Sequence, residues 1–184
     1  MRILATLTLA ALLAACAGQP VEPRYYLLRG DVPLDNRQLT PASGYGLGAV
    51  VLAPYIDQQG LLLETTDGTI RPARQHLWAE PIIEGARIFL LQEISHSSGK
   101  DLLPLPAGGD AALINVRIDQ FHGTSDGRAI LIAYWWVSRD GEALAGYKFA
   151  QARQLDASGY DALARAQKAL LTDLAREIAA IIPQ

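Results

Sequence analysis

The sequence predicts an α+β fold: a mostly antiparallel sheet with two main helices packed on it, in a single domain. Three observations carry this expectation. Asp67-Gly68, Asp126-Gly127 and Asp140-Gly141 each separate two strand-like runs, and Asp-Gly is the strongest short hairpin signal because both central residues of the turn need positive φ. Residues 82–94 and 163–181 carry apolar side chains at three- and four-residue steps, the period of a helix with one buried face. Half of the 184 residues are hydrophobic, enough for a packed core, and no internal repeat or shift of composition divides the chain.

The elements follow in order. Met1-Arg2 gives a short positive start, and residues 3–12 form an apolar run. That run is shorter than the about 20 residues a transmembrane helix needs, and reads as a signal peptide over residues 1–15. Leu13-Ala14-Ala15-Cys16 matches the bacterial lipobox. Small side chains fit the signal peptidase cleft, and the Cys16 thiol receives the diacylglycerol. Cys16 is the one cysteine, so no disulfide forms within the chain. Cleavage before it leaves 169 residues. Two or more acyl chains, at roughly 0.8 kcal/mol per buried methylene, anchor a protein stably. Ala17 is compatible with transfer to the outer membrane rather than retention at the inner one. Residues 16–24 form the lipidated N-terminus and tether, of which the Pro-containing stretch 17–24 reaches on the order of 26 Å at about 3.3 Å per residue. Residues 25–184 form the globular domain.

Residues 24–29 (RYYLLR) read as the first strand, and residues 30–44 as a loop with Pro33, Asp35, Asn36 and Pro41. Residues 47–53 (LGAVVLA) read as a buried strand ended by Pro54. Residues 61–66 and 69–73 flank the first Asp-Gly turn. Pro81 suits the first turn of the next helix, where no backbone donor is missed. Gly and Pro in residues 97–110 break the pattern. Ile114, Val116 and Ile118 alternate with Asn115, Arg117 and Asp119, which marks a strand wet on one face. Residues 129–137 (AILIAYWWV) are apolar on both faces, as in a central strand or one that meets another subunit. Residues 144–152 complete a meander. Ser158 with Asp161 resembles a capping box opening the C-terminal helix, with Asp in place of Glu or Gln.

Motifs for chemistry are sparse. The net charge of −3 gives no electrostatic case for nucleic acid. His76, His96 and His122 stand outside any metal-ligand spacing, so no metal and no cofactor are expected. The one GxSxG string, residues 123–127 (GTSDG), spans the Asp126-Gly127 hairpin turn between two strands rather than a strand-to-helix nucleophile elbow, and the GYGLG run does not match a dinucleotide fingerprint. The chain is therefore expected not to be an enzyme.

Two segments stand apart. Residues 52–82 hold Tyr55, Asp57, Trp78, Glu80 and Pro81 near turns. Trp78 can cap a helix and pack on the sheet, or the segment can form a docking edge with aromatic anchors. Tyr134-Trp135-Trp136 is the second. Adjacent strand residues point to opposite faces, so one Trp enters the core while the other meets a helix, a subunit or lipid. Trp135 and Trp136 are the candidate self-association residues.

The block PYIDQQGLLLETTDGTIRPARQHLWAEPI resembles the hallmark of the PqiC lipoproteins, the ABC-type transport auxiliary lipoprotein component. In that family a P-x-Y-L-D-R-P start leads through a hairpin to R-W-A-E-P-L. The ending GYDALARAQKALLTDLAREIAAI resembles the family's last helix, and with the lipobox and RYYLLR the likeness spans nearly the whole mature chain. Here Pro54 and Tyr55 are adjacent, Ile56 replaces Leu, Gln58-Gln59 replaces Arg-Pro, and Leu77 stands in place of Arg. The resemblance implies an accessory, docking subunit of an MCE-type ABC lipid transport system that maintains the cell envelope. It implies a place at the periplasmic face of the outer membrane, an MCE-domain protein as partner and a ring of copies; Tyr55, Asp57, Trp78, Glu80 and Pro81 are the candidate partner-binding residues of the docking-edge reading. Two alternatives follow from the residues: a periplasmic lipid-binding carrier lipoprotein with its own cavity, and a periplasmic hydrolase.

Overall fold

The computed structural model describes residues 21–30, 36, 38–39, 44–102 and 111–183. The signal segment, Cys16, Ala17 and part of the tether lie outside the described residues, as do most of the loop at 30–44 and the stretch 103–110. The described chain forms β1 (Arg24–Tyr26), β2 (Tyr45–Leu52), β3 (Gly60–Glu64), β4 (Ile70–Trp78), α1 (Ile82–Ser98), β5 (Ala112–Thr124), β6 (Arg128–Arg139), β7 (Glu142–Gln154) and α2 (Tyr160–Ala179). The seven strands make one sheet in the order β1-β4-β3-β5-β6-β7, with β2 also on β5.

The α+β reading stands, with two helices on one sheet, but the sheet is mixed rather than mostly antiparallel. The three Asp-Gly turns do make antiparallel hairpins, β3–β4, β5–β6 and β6–β7. The joints between these units are parallel: β1 with β4, β2 with β5, and β3 with β5. A turn dipeptide reports only the pairing it closes, and the long connections leave no such local mark. The turn geometry also differs from expectation. Both residues have positive φ only at Asp140-Gly141; at the other two turns the glycine alone does.

Each predicted strand shifts at its ends. The first is three residues long, because the chain leaves β4 after Tyr26 while Leu28 turns into the core. The fourth runs on to Trp78. Helix α1 begins at Ile82 after Pro81, and Gly99 closes it in the left-handed conformation (φ 68°) that glycine adopts without strain. Helix α2 starts after Gly159, with no side-chain cap. The expected capping box is absent because the Asp161 carboxylate is bound to Arg24 and Tyr26 instead.

Both helices cover one face of the sheet. Ile82, Ala86, Phe89, Leu90 and Ile94 of α1 and Leu163, Leu170, Leu171, Leu174 and Ile178 of α2 are buried, and pack with Ile114, Val116, Ile118, Leu131, Ala133 and Trp135 in one core. Gly123 lets α2 approach closely, since a Cβ there would stand 2.8 Å from Cδ1 of Leu163. Asn115, expected on the wet face, is buried. Its Oδ1 accepts the Ala49 N–H at 3.0 Å, at a register shift of β2 between Leu47 and Val50, and its Nδ2 donates to Ser138 Oγ at 2.9 Å. Among the described helices none is long and apolar enough to cross a membrane.

Candidate functional site

The segment singled out by sequence lies where one edge of β5 is shared. Strand β2 pairs with β5 as far as Leu52↔Ile118, and β3 takes up the same edge at Leu63↔Gly123. Between them the chain turns away and back. The Ala53 N–H still donates to the Ile118 carbonyl at 2.8 Å, and the Ile56 N–H closes a turn on the Ala53 carbonyl at 2.9 Å. This gap would leave the edge of β5 unmet at Phe121. The Tyr55 hydroxyl fills it, accepting the Phe121 N–H at 3.3 Å and lying 3.0 Å from Nδ1 of His122. His122 is buried, and its Nε2 stands 3.4 Å from Oε2 of Glu64.

The Glu64 carboxylate accepts at Nε2, so the neutral His122 carries its proton there, and Nδ1 accepts the hydrogen bond of the Tyr55 O–H. Burial holds the His122 pKa below the usual imidazole value, against the opposing pull of Glu64. Burial likewise pushes the Tyr55 phenol up. The trio is thus a hydrogen-bonded plug in which the imidazole stays neutral. Asp57 is exposed just beyond it, in a shallow groove of about 380 Å³ lined by Val50, Val51, Leu52, Pro54, Asp57 and Ile83.

The end of the segment turns inward. Trp78 is 5% exposed; its ring stacks on Phe121 at 6.3 Å and meets Tyr26 edge-on at 6.5 Å. The Ala79 N–H donates to the Tyr26 carbonyl at 2.8 Å. Glu80 holds the Arg29 guanidinium through both oxygens, one of them at 2.7 Å from Nη2. Pro81 supplies the residue before α1, and its carbonyl accepts the Glu84 and Gly85 N–H groups. Trp78, Glu80 and Pro81 together fasten the chain after β1 to the start of α1. Tyr55 and Asp57 lie at the other end of the segment.

A family model described as ABC-type transport auxiliary lipoprotein component matches residues 26–179. The chain belongs to this family. Two curated relatives are the intermembrane transport lipoproteins PqiC of Escherichia coli (strain K12) and of Shigella flexneri. Each is 28% identical over 142 residues, which cover 74% of this chain and 75% of the relative. A crystal structure of an uncharacterized protein matches with a TM-score of 0.76 and 22% identity, over 89% of this chain and 100% of its own. A Xanthomonas campestris protein matches with a TM-score of 0.62 and 15% identity, over 78% and 89%. These two structures share the fold. The relatives carry names of transport lipoproteins rather than of enzymes.

In this auxiliary lipoprotein the paired tryptophans divide as the strand pleat requires. Trp135 is 1% exposed on the helix-covered face, stacked on Tyr147 at 4.0 Å. Trp136 is half-buried on the open face, beside the exposed Tyr134. Sequence reasoning missed the partners of the singled-out residues. Arg29, Glu64 and His122 are among them, and no spacing rule connects residues 51 to 67 positions apart. It also missed a second polar cluster. The Tyr26 hydroxyl lies 2.7 Å from both Nδ1 of His76 and Oδ1 of Asp161, Arg24 donates to Asp161 at 2.8 Å, and His76 stacks on Tyr160 at 4.5 Å. Burial and the Asp161 carboxylate push the Tyr26 phenol up to about 12. Asp161 is held below its usual range by that hydroxyl and by Arg24. The cluster ties β1 to the first turn of α2. Among the described residues no group of three or more His, Cys, Asp or Glu side chains is placed to hold a metal.

Proposed function

We propose that this transport auxiliary lipoprotein is cut before Cys16, acylated there, and held at the periplasmic face of the outer membrane. There it is the docking subunit of an MCE-type ABC lipid transport system and has no catalytic role. The family match over residues 26–179 carries this reading. The geometry supplies a docking surface to go with it. Among the described residues β2 pairs with β5 alone; Arg87 of α1 donates to its Gly48 carbonyl at 2.9 Å, no second strand pairs with its other edge, and it borders the groove that holds Asp57. An open strand edge beside an apolar groove suits an extended segment or loop of a partner. Tyr55 braces this surface from below, while Trp78, Glu80 and Pro81 hold its far end in place. Copies of the domain associate through the open face of β6, where Tyr134 and Trp136 lie. An anchored domain meets its partner at raised effective concentration, so weak contacts repeated over several copies suffice.

The test is co-purification of the full lipoprotein with the MCE protein of its own host. Wild type is expected to bring it down. Asp57→Lys combined with Val51→Glu is expected to abolish capture while leaving the thermal midpoint unchanged. Full capture by that double variant refutes the docking surface, and a strictly monomeric wild-type protein that captures no MCE protein refutes the function.

One observation favours a second reading, the lipid carrier. A cavity of about 430 Å³ opens between the ends of β3, β5 and β7 and the start of α2, lined by Leu63, Leu155, Tyr160 and Leu163 with the 124–127 turn. Native mass spectrometry separates the readings: a retained phospholipid supports the carrier, and its absence from freshly extracted protein removes it.

A further inference from the structure

Resting on the anchoring proposed above, we infer that the β1 edge of the domain lies on the bilayer surface itself, with Val21, Tyr25 and Leu27 in the headgroup layer. Eight large hydrophobic side chains are exposed among the described residues, and three of them, Val21 (65%), Tyr25 (60%) and Leu27 (59%), fall within seven positions. Alternation explains the last two. Tyr26 and Leu28 turn inward, onto Trp78 and into the core, so Tyr25 and Leu27 turn outward. Tyr25 pairs with Leu77, a further half-buried apolar side chain. Strand β1 ends the sheet, and among the described residues only β4 pairs with it.

The length of chain before the strand selects the occupant. Cys16 precedes Val21 by five residues, a reach of about 17 Å at full extension, and precedes Tyr25 by nine, about 30 Å. A relaxed tether is shorter than either figure. Once the sulfur carries acyl chains, these three side chains are the exposed apolar groups held nearest the bilayer for the life of the molecule. The headgroup layer on each side of the hydrocarbon is roughly 5–8 Å deep, and tyrosine favours it because its ring is apolar and its hydroxyl is wet. The adjoining groove is also lined by Lys168, by Arg165, which donates to both Asp156 oxygens at 3.0 and 2.7 Å, and by Asp161, which is bound to Arg24. In this pose the β1 edge faces the membrane and β7, at the other end of the sheet, points away.

The test uses the full acylated protein in vesicles of phosphatidylethanolamine and phosphatidylglycerol. Acylation consumes Cys16, so a cysteine introduced by Leu27→Cys or, as a second variant, Tyr25→Cys is the one free thiol for an environment-sensitive fluorophore. Leu144→Cys is the reference, equally exposed at 59% but on β7. Labels at 27 and 25 are expected to shift to the blue. Doxyl-labelled lipids are expected to quench them about twofold or more relative to 144, because a surface-lying apolar face sits roughly 5–10 Å into the boundary. Flotation with the vesicles and the mass of the N-terminal peptide report the anchor separately. If all variants float, and 27 and 25 quench no more than 144, the pose is wrong and the anchor stands. If labels at 27 and 25 are shielded from aqueous iodide but not reached by doxyl lipids, a second copy or a protein partner covers the edge and the pose is wrong. If the N-terminal peptide is unacylated, both the anchor and the pose are overturned.

Discussion

Replacing Trp78 with alanine separates a fold role from a docking role for the WAEP tetrapeptide. The ring is 5% exposed, between Phe121 at 6.3 Å and Tyr26 at 6.5 Å. Truncating a buried Trp costs about 3–5 kcal/mol, including the cavity left behind. Domains of this kind hold roughly 5–15 kcal/mol in total, so Trp78→Ala leaves a marginal protein. Trp78→Phe keeps one ring and is expected to lose about 1–2 kcal/mol, by the few methylene equivalents removed. The assay is urea unfolding followed by far-UV circular dichroism. With a slope near 2 kcal/mol per molar, the alanine variant's midpoint falls by about 1.5–2.5 M at unchanged slope. Partner capture should fall only with the folded fraction. A stability loss below about 1 kcal/mol, the range of surface substitutions, together with abolished capture, would refute the reasoning and return the ring to the interface.

Three other perturbations test the frame. Asn115→Ala leaves the Ala49 N–H without its acceptor and is expected to cost about 1–3 kcal/mol in chemical unfolding; a neutral outcome would mean the register shift of β2 is satisfied otherwise. Gly60→Ala puts a Cβ 2.5 Å from the Ala73 carbonyl oxygen and is expected to lose about 1–3 kcal/mol through a backbone shift, read as a lower thermal midpoint. His122 titrates below its unfolded value of about 6.5, so the unfolded chain binds its proton first. Its contribution to stability is therefore full above pH about 6.5 and is lost as the pH falls below that. His122→Gln should flatten the stability–pH curve below about pH 6.5 relative to wild type, and an identical slope would remove the imidazole from this role.

What was legible in the sequence was local. The Asp-Gly turns, the two amphipathic helices and the pleat that sends two adjacent tryptophans to opposite faces all rest on neighbours within a few residues. What was hidden needed contacts across the chain. Nothing in RYYLLR announces that only three residues pair, or that they run parallel to a strand some fifty positions later. Asn115 reads as a wet-face residue by alternation, and is buried because a register shift in another strand presents it with an unpaired N–H. Asp161 reads as a capping residue, and a tyrosine and an arginine from β1 take its charge instead. In each case a tertiary partner overrode a sound local preference. The site was half legible. Tyr55 and Trp78 were singled out, but His122 and Glu64, which give Tyr55 its setting, carry no motif.

The same distinction bears on partner choice within residues 52–82. Trp78, Glu80 and Pro81 match the PqiC-type pattern, and each bonds or packs inside the domain. Ile56 departs from it but is buried, and an Ile for Leu exchange keeps the volume. Gln58 and Gln59 depart beside the exposed Asp57. Their folding roles are ones the Arg-Pro of the pattern can also fill: Gln58 donates a side-chain N–H to the Tyr55 carbonyl, and Gln59 offers its carbonyl to the Trp78 N–H at 2.7 Å. Arginine keeps a donor and proline keeps a carbonyl. Exchanging Gln58-Gln59 for Arg-Pro should therefore leave stability within about 0.5 kcal/mol, the range of surface changes. It should nevertheless shift capture away from the MCE protein of its own host, by placing a cation next to Asp57 at the groove. Parallel unfolding and capture assays decide it. Unchanged capture at unchanged stability would show that the groove does not face the transporter, and the docking edge would have to be sought elsewhere on the domain.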